Sequence, residues 1–175
     1  DIGNWNVSKV TRMDWMLSDI WLFNMPLDCW NVGKVTRMDS MFRNARAFNQ
    51  YIGSWTVAKV TRMDEMFQGA IAFNQDLSEW DVRNVTDMRL MFQGAINFNG
   101  DIRSWNVSKV TDMRSMFQGA TGFNQDLSSW KINTSLVHTA NMFAATQPQK
   151  GCPTFYTGAG AVNAEDDSGC TVTTN

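Results

Sequence analysis

The sequence predicts an α/β solenoid, a right-handed coil with one short parallel strand and one short helix in each 25-residue unit. Three observations predict it. A tryptophan returns at a fixed interval, each interval holds apolar residues at helical spacing, and the residues around the tryptophan alternate polar and apolar.

Trp5, Trp30, Trp55, Trp80, Trp105 and Trp130 stand 25 residues apart. Self-similarity at a fixed period is the mark of stacked repeats, and this period lies in the window of leucine-rich repeats. No single unit can bury its own apolar face, so the Trp, Phe and Met columns read as continuous spines of core.

Inside a unit, Met63, Met66, Phe67 and Ala70 fall at i, i+3, i+4 and i+7, the spacing that gathers side chains on one helix face. Thr61 with Asp64 has the form of a capping box, and the pattern returns as Thr11 with Asp14 and Thr36 with Asp39. Gly69, Gly94 and Gly119 suit the left-handed residue that ends a helix. Ser54, Trp55, Thr56 and Val57 alternate, as in a short strand with Trp and Val pointing inward. One strand per unit implies a parallel sheet, and strand–helix–strand connections are right-handed in nearly all proteins.

Asn24, Asn49, Asn74, Asn99 and Asn124 each follow a Phe. A stacked amide at a turn can bond the backbone of the next unit, so this column is expected to be an asparagine ladder with a structural role. Lys9, Lys34, Lys59 and Lys109 form a row beside the expected strand, a candidate binding face. Arg12, Arg37 and Arg62 are each followed two residues later by Asp14, Asp39 and Asp64, and the order inverts at Asp87 with Arg89 and Asp112 with Arg114. Such a face can set register against a partner. Sequons at Asn6, Asn84, Asn106 and Asn133 are candidate glycosylation sites in a host that secretes and glycosylates the protein.

The repeats are expected to span residues 1–146 as about five and a half units. Residues 147–175 shift to Gly, Ala, Thr and Ser and read as a loop-rich cap or the start of another module, in which Cys152 and Cys170 are a candidate disulfide. The first unit carries Trp15, Leu17, Trp21, Met25 and Pro26 where later units hold other residue types. Its end is therefore expected to pack on further repeats or on another subunit.

The strings VTDMRSMFQGATGFNQDLSSW and VTRMDEMFQGAIAFNQDLSEW resemble the repeat of the BspA-like leucine-rich-repeat surface proteins, tandem arrays found in microbial surface lipoproteins and secreted proteins. The likeness covers residues 1 to about 146. It implies an extracellular or cell-surface location and a role in adhesion or protein binding.

Composition narrows the function further. A net charge of -2 from 15 basic and 17 acidic residues leaves no electrostatic footprint for nucleic acid. No apolar run is long enough for a membrane span. No acid, base and nucleophile constellation stands out, and His138 is alone, so neither catalysis nor a cofactor is expected. Three cysteines, at 29, 152 and 170, lack the spacing of a zinc site. The expected partner is a protein, either a surface receptor or further subunits, with a glycan as the second class. The alternative function is structural, a filament or sheath built through the solenoid ends.

Overall fold

The computed structural model describes residues 2–133, 137–146 and 154–156. The 25-residue units are stacked coils, but the α/β architecture predicted from the sequence is overturned. Among the described residues there is no helix, and the strands are β1, Lys131–Asn133, and β2, Thr154–Tyr156, which pair in parallel with Lys131 opposite Thr154. The inference of handedness from a strand–helix–strand unit falls with the unit itself.

The segment expected to be helical is a chain of turns. Met66, Gln68 and Ala70 N–H donate to the carbonyls of Met63, Glu65 and Phe67, three residues back, at 3.2, 3.0 and 3.0 Å. The alternate N–H groups leave the coil altogether. Met63, Glu65, Phe67 and Gly69 donate to Asp87, Arg89, Met91 and Gln93 of the next coil at 3.0, 2.8, 2.9 and 2.7 Å. A helix would have consumed those donors four residues back within its own segment. Here they zip one coil to the next.

Backbone conformation explains why a helix cannot form. Glu65 and Gly69 have φ of 60° and 67°, and the same two columns stay left-handed from Trp15 and Asp19 to Asn141 and Ala145. Each is the third residue of a four-residue turn, where a type II turn places its positive φ. The apolar spacing has the same origin. Met63 and Met66 are the two ends of one turn, and Phe67 and Ala70 are the two ends of the next, so turn corners imitate helical periodicity. Thr61 is no helix cap: its hydroxyl donates to Thr36 O at 3.1 Å, one coil back. Gly69 is left-handed as a C-terminal cap would be, yet it closes a turn.

The expected strand at Trp55 is also absent as a ladder. Trp55 and Val57 are buried while Ser54 and Thr56 are exposed, so the alternation is present without the pairing. Parallel pairing sits instead at single residues, in the column Arg12, Arg37, Arg62, Asp87, Asp112 and His138.

Burial follows the columns. Phe42, Phe67, Phe92, Phe117 and Phe143 stack with centroids 5.5–5.7 Å apart and planes within 5°. A second stack runs through Phe48, Phe73, Phe98 and Phe123 at 5.9 Å. Within a coil the two columns touch, as Phe67 and Phe73 do at 4.0 Å. Parallel offset stacking at these distances adds to the burial of each ring. The sixth unit has one extra residue, and the chain absorbs it between Trp130 and His138: Asp112 pairs with His138, 26 residues on, and Phe143 returns to the spine under Phe117.

Candidate functional site

Three amide or indole ladders run along the stack. The backbone N–H groups of Asn49, Asn74, Asn99 and Asn124 donate to the Oδ1 of Asn24, Asn49, Asn74 and Asn99 in the preceding coil at 2.8–2.9 Å. Gln50, Gln75 and Gln125 Nε2 reinforce the rung by donating to the Oδ1 of Asn24, Asn49 and Asn99. These amides are spent on the backbone of the next coil, which leaves little for a ligand. The ladder ends at Asn124, whose buried Oδ1 has no partner among the described residues.

The tryptophans form the second ladder. The indole N–H of Trp30, Trp55, Trp80, Trp105 and Trp130 donates to the carbonyl of Ile2, Leu27, Ile52, Leu77 and Ile102 at 2.9–3.2 Å. Their rings are buried, whereas Trp5 at the first coil is 54% exposed. The third ladder escaped the sequence reasoning: Arg43 Nε donates to Gln68 Oε1, Gln68 to Gln93 and Gln93 to Gln118 at 2.9, 2.5 and 2.7 Å. The recurrence of Gln at 68, 93 and 118 was the available signal.

The charged columns meet as the spacing suggested. Arg12, Arg37 and Arg62 each form a two-pronged pair with Asp14, Asp39 and Asp64. Where the order inverts, the pairs cross between coils: Arg62 reaches Asp87 at 3.3 Å, and Arg89 reaches Glu65 at 2.9 Å. Hydrogen bonds from Arg12 and Arg103 hold the carboxyls of Asp14 and Asp101 below the usual range. Asp87 moves the other way, because burial between the coils outweighs its bond from the Arg89 N–H. Such pairs order a surface; individually they contribute about 0–1 kcal/mol.

Lys9, Lys34 and Lys59 are exposed on neighbouring coils, and none forms an ion pair among the described residues. Lys109 differs, since its ammonium donates to Asn84 Oδ1 at 2.8 Å. That bond also bears on the sequons. Asn84 spends its Nδ2 on Ala58 O at 2.9 Å, whereas the exposed Asn6 and Asn106 only accept, from Ser8 and Ser108 N–H at 3.2 and 3.1 Å. Asn133 closes β1. Cys152 and Cys170 lie outside the described residues, and Cys29 is an exposed free thiol.

A depression of about 580 Å³ is lined by Trp105, Asn106, Lys109, Trp130 and Val137 among others, and its described lining holds no carboxylate, imidazole or thiol. Among the described residues no three His, Cys, Asp or Glu gather as metal ligands. No helix among them is long and apolar enough to cross a membrane. The first coil exposes Trp15, Trp21 and Leu22, and the guanidinium groups of Arg43 and Arg46 lie 5.5 and 4.8 Å from the centres of the two indoles.

These features define a repeat protein of turn-built coils whose Asn, Gln and Trp columns bond coil to coil. The chain belongs to the family described as "Mycoplasma protein of unknown function, DUF285", which matches residues 1–71 and 50–152. No curated protein and no solved structure matches the chain.

Proposed function

We propose that the protein is a non-catalytic binding module of a secreted or cell-surface protein, which presents a lateral face of its coil stack to a partner. The observation that carries this reading is the contrast between fixed buried columns and variable exposed ones. The second to fifth coils repeat Trp, Val, Met and Phe inside, while the half-buried or exposed column three residues after Trp holds Ser8, Gly33, Ala58, Arg83 and Ser108. A rigid scaffold with variable surface rows is how repeat proteins make extended binding faces. The resemblance to BspA-like surface repeats supports the location and the adhesive role. A protein partner is the first class and a glycan the second.

A second reading, a structural subunit of a filament or sheath, draws support from the side chains of Trp15, Trp21 and Leu22, which are 52%, 56% and 89% exposed.

Antibody labelling of intact cells that make the native protein tests the location. Beads coated with residues 1–175 and offered immobilised extracellular proteins and glycans test the activity. Surface labelling with saturable bead binding is expected. Labelling that requires permeabilised cells overturns the reading, and particles that grow with concentration in light scattering favour assembly.

A further inference from the structure

We propose that Asn6 and Asn106 are acceptors for N-linked glycosylation and that Asn84, whose Asn-Val-Thr motif is as complete, is not. The inference rests on the secreted or cell-surface reading and names a modification that this location allows.

The motif Asn-x-Ser/Thr marks an acceptor whose side-chain amide must be reachable at the surface. It occurs at Asn6, Asn84, Asn106 and Asn133, and the structure separates the first three. Asn6 and Asn106 are exposed and hold one column, four coils apart. Each opens a turn closed by its own side chain. Asn6 Oδ1 accepts the Ser8 N–H at 3.2 Å and the Ser8 hydroxyl at 2.7 Å, and Asn106 Oδ1 accepts the Ser108 N–H at 3.1 Å. The oxygen of each amide is thus held against its own chain, while the nitrogen donates to no group among the described residues.

Asn84 is the reverse case. It is half-buried, its Nδ2 donates to Ala58 O of the preceding coil at 2.9 Å, and its Oδ1 accepts the Lys109 ammonium at 2.8 Å. The hydroxyl of its motif, on Thr86, donates to Thr61 O at 3.2 Å. A sugar on that nitrogen would stand where Asn84 meets the preceding coil. Asn133 closes β1 opposite Tyr156, and the rest of its motif lies outside the described residues.

The second coil supplies a control. Asn31 holds the same column as Asn6 and Asn106, is exposed, and accepts the Gly33 N–H at 3.2 Å in the same turn, but Gly33 stands where the motif needs a hydroxyl. A Cβ at Gly33 meets only Asn31 Oδ1, at 3.3 Å, so a serine can stand there as Ser8 and Ser108 do.

The transfer takes a lipid-linked oligosaccharide pyrophosphate as donor. The amide nitrogen bonds to C1 of the first sugar, the C1–O bond breaks with its electron pair going to the pyrophosphate, and the nitrogen gives up one proton to a base of the transferase. Sugars on the first and fifth coils would flank the variable residues Gly33, Ala58 and Arg83 between them.

The test takes the native protein from the cells that make it, releases sugar with a peptide N-glycosidase in heavy-oxygen water and maps the sites by mass spectrometry. The intact mass is expected to fall on release, with heavy-oxygen aspartate left at positions 6 and 106 and not at 84. Residues 1–175 secreted from yeast should carry the same two sugars, and Gly33→Ser should add one at Asn31 with an unchanged thermal melt. Native protein without sugar at Asn6 or Asn106, sugar at Asn84 as frequent as at Asn106, or a secreted Gly33→Ser variant unmodified at Asn31 overturns the proposal. Surface labelling of intact cells together with bare Asn6 and Asn106 overturns this proposal alone. Sugar at both sites on a protein that labels only in permeabilised cells overturns the surface reading and leaves the acceptor assignment standing.

Discussion

Trp5 and Trp80 hold the same register position in their coils, yet Trp5 is 54% exposed and Trp80 is 3% exposed. Trp80 has a coil on either side, and its indole N–H meets the Ile52 carbonyl. The Trp5 ring has a described coil on one side only. Burial of this column is therefore a property of the stack rather than of the residue. Nearest-neighbour contacts of this kind make stability a sum over coils and their interfaces.

The largest expected break in the comparison is Trp80→Ala. Truncation of a buried aromatic should cost about 3–5 kcal/mol in denaturant melts, and Trp5→Ala should cost less than about 1 kcal/mol. Similar costs for the two would mean that the first coil is packed like the others.

The asparagine ladder offers a subtler pair. Asn74 Oδ1 accepts the Asn99 N–H, so Asn74→Ala strands a backbone donor and should cost about 1–3 kcal/mol. Asn124 Oδ1 accepts nothing among the described residues, and Asn124→Ala should fall within about 0.5 kcal/mol of the parent. Equal losses at the two positions would place a partner on Asn124.

The two left-handed columns should respond with opposite signs. A Cβ at Gly94 meets only the Gly69 Cα, at 4.0 Å, so Gly94→Ala isolates the cost of its φ of 66° and should destabilise by about 1 kcal/mol. Ser115 already bears a side chain at φ of 55°, and Ser115→Gly should be neutral or stabilise by up to about 1 kcal/mol. Paired thermal melts of the two variants measure the difference.

The smallest expected effect is that of acid. The carboxyls of Asp14, Asp81 and Asp101 are lowered from 3.8 by their arginine partners, so their contribution is present above that value and fades as pH falls below it. Asp87 is raised from 3.8 by burial, so it favours the fold on the acid side and opposes it once ionised. Melting temperature should fall only below about pH 4, and Asp87→Asn should remove the opposing contribution at pH values above it. A melt that weakens steadily from neutral pH would require a different titrating group.

The sequence by itself determined the period, the apolar columns that are buried and the asparagines that meet across coils. Trp, Phe and Met at a 25-residue interval can be covered only by their own copies, and the amide of Asn49 can serve Asn74 only if the coils stack in register. The local backbone was decided by the tertiary structure. Met63, Met66, Phe67 and Ala70 have one spacing for two geometries, since the corners of successive four-residue turns and one face of a helix both recur at three and four residues. The choice between them depends on where the N–H groups of Met63, Glu65, Phe67 and Gly69 go. In an isolated unit a helix would satisfy those it could, whereas in the stack the carbonyls of Asp87, Arg89, Met91 and Gln93 stand ready one coil away. That supply of partners outweighs the left-handed conformation of Glu65, which no helix propensity foretells.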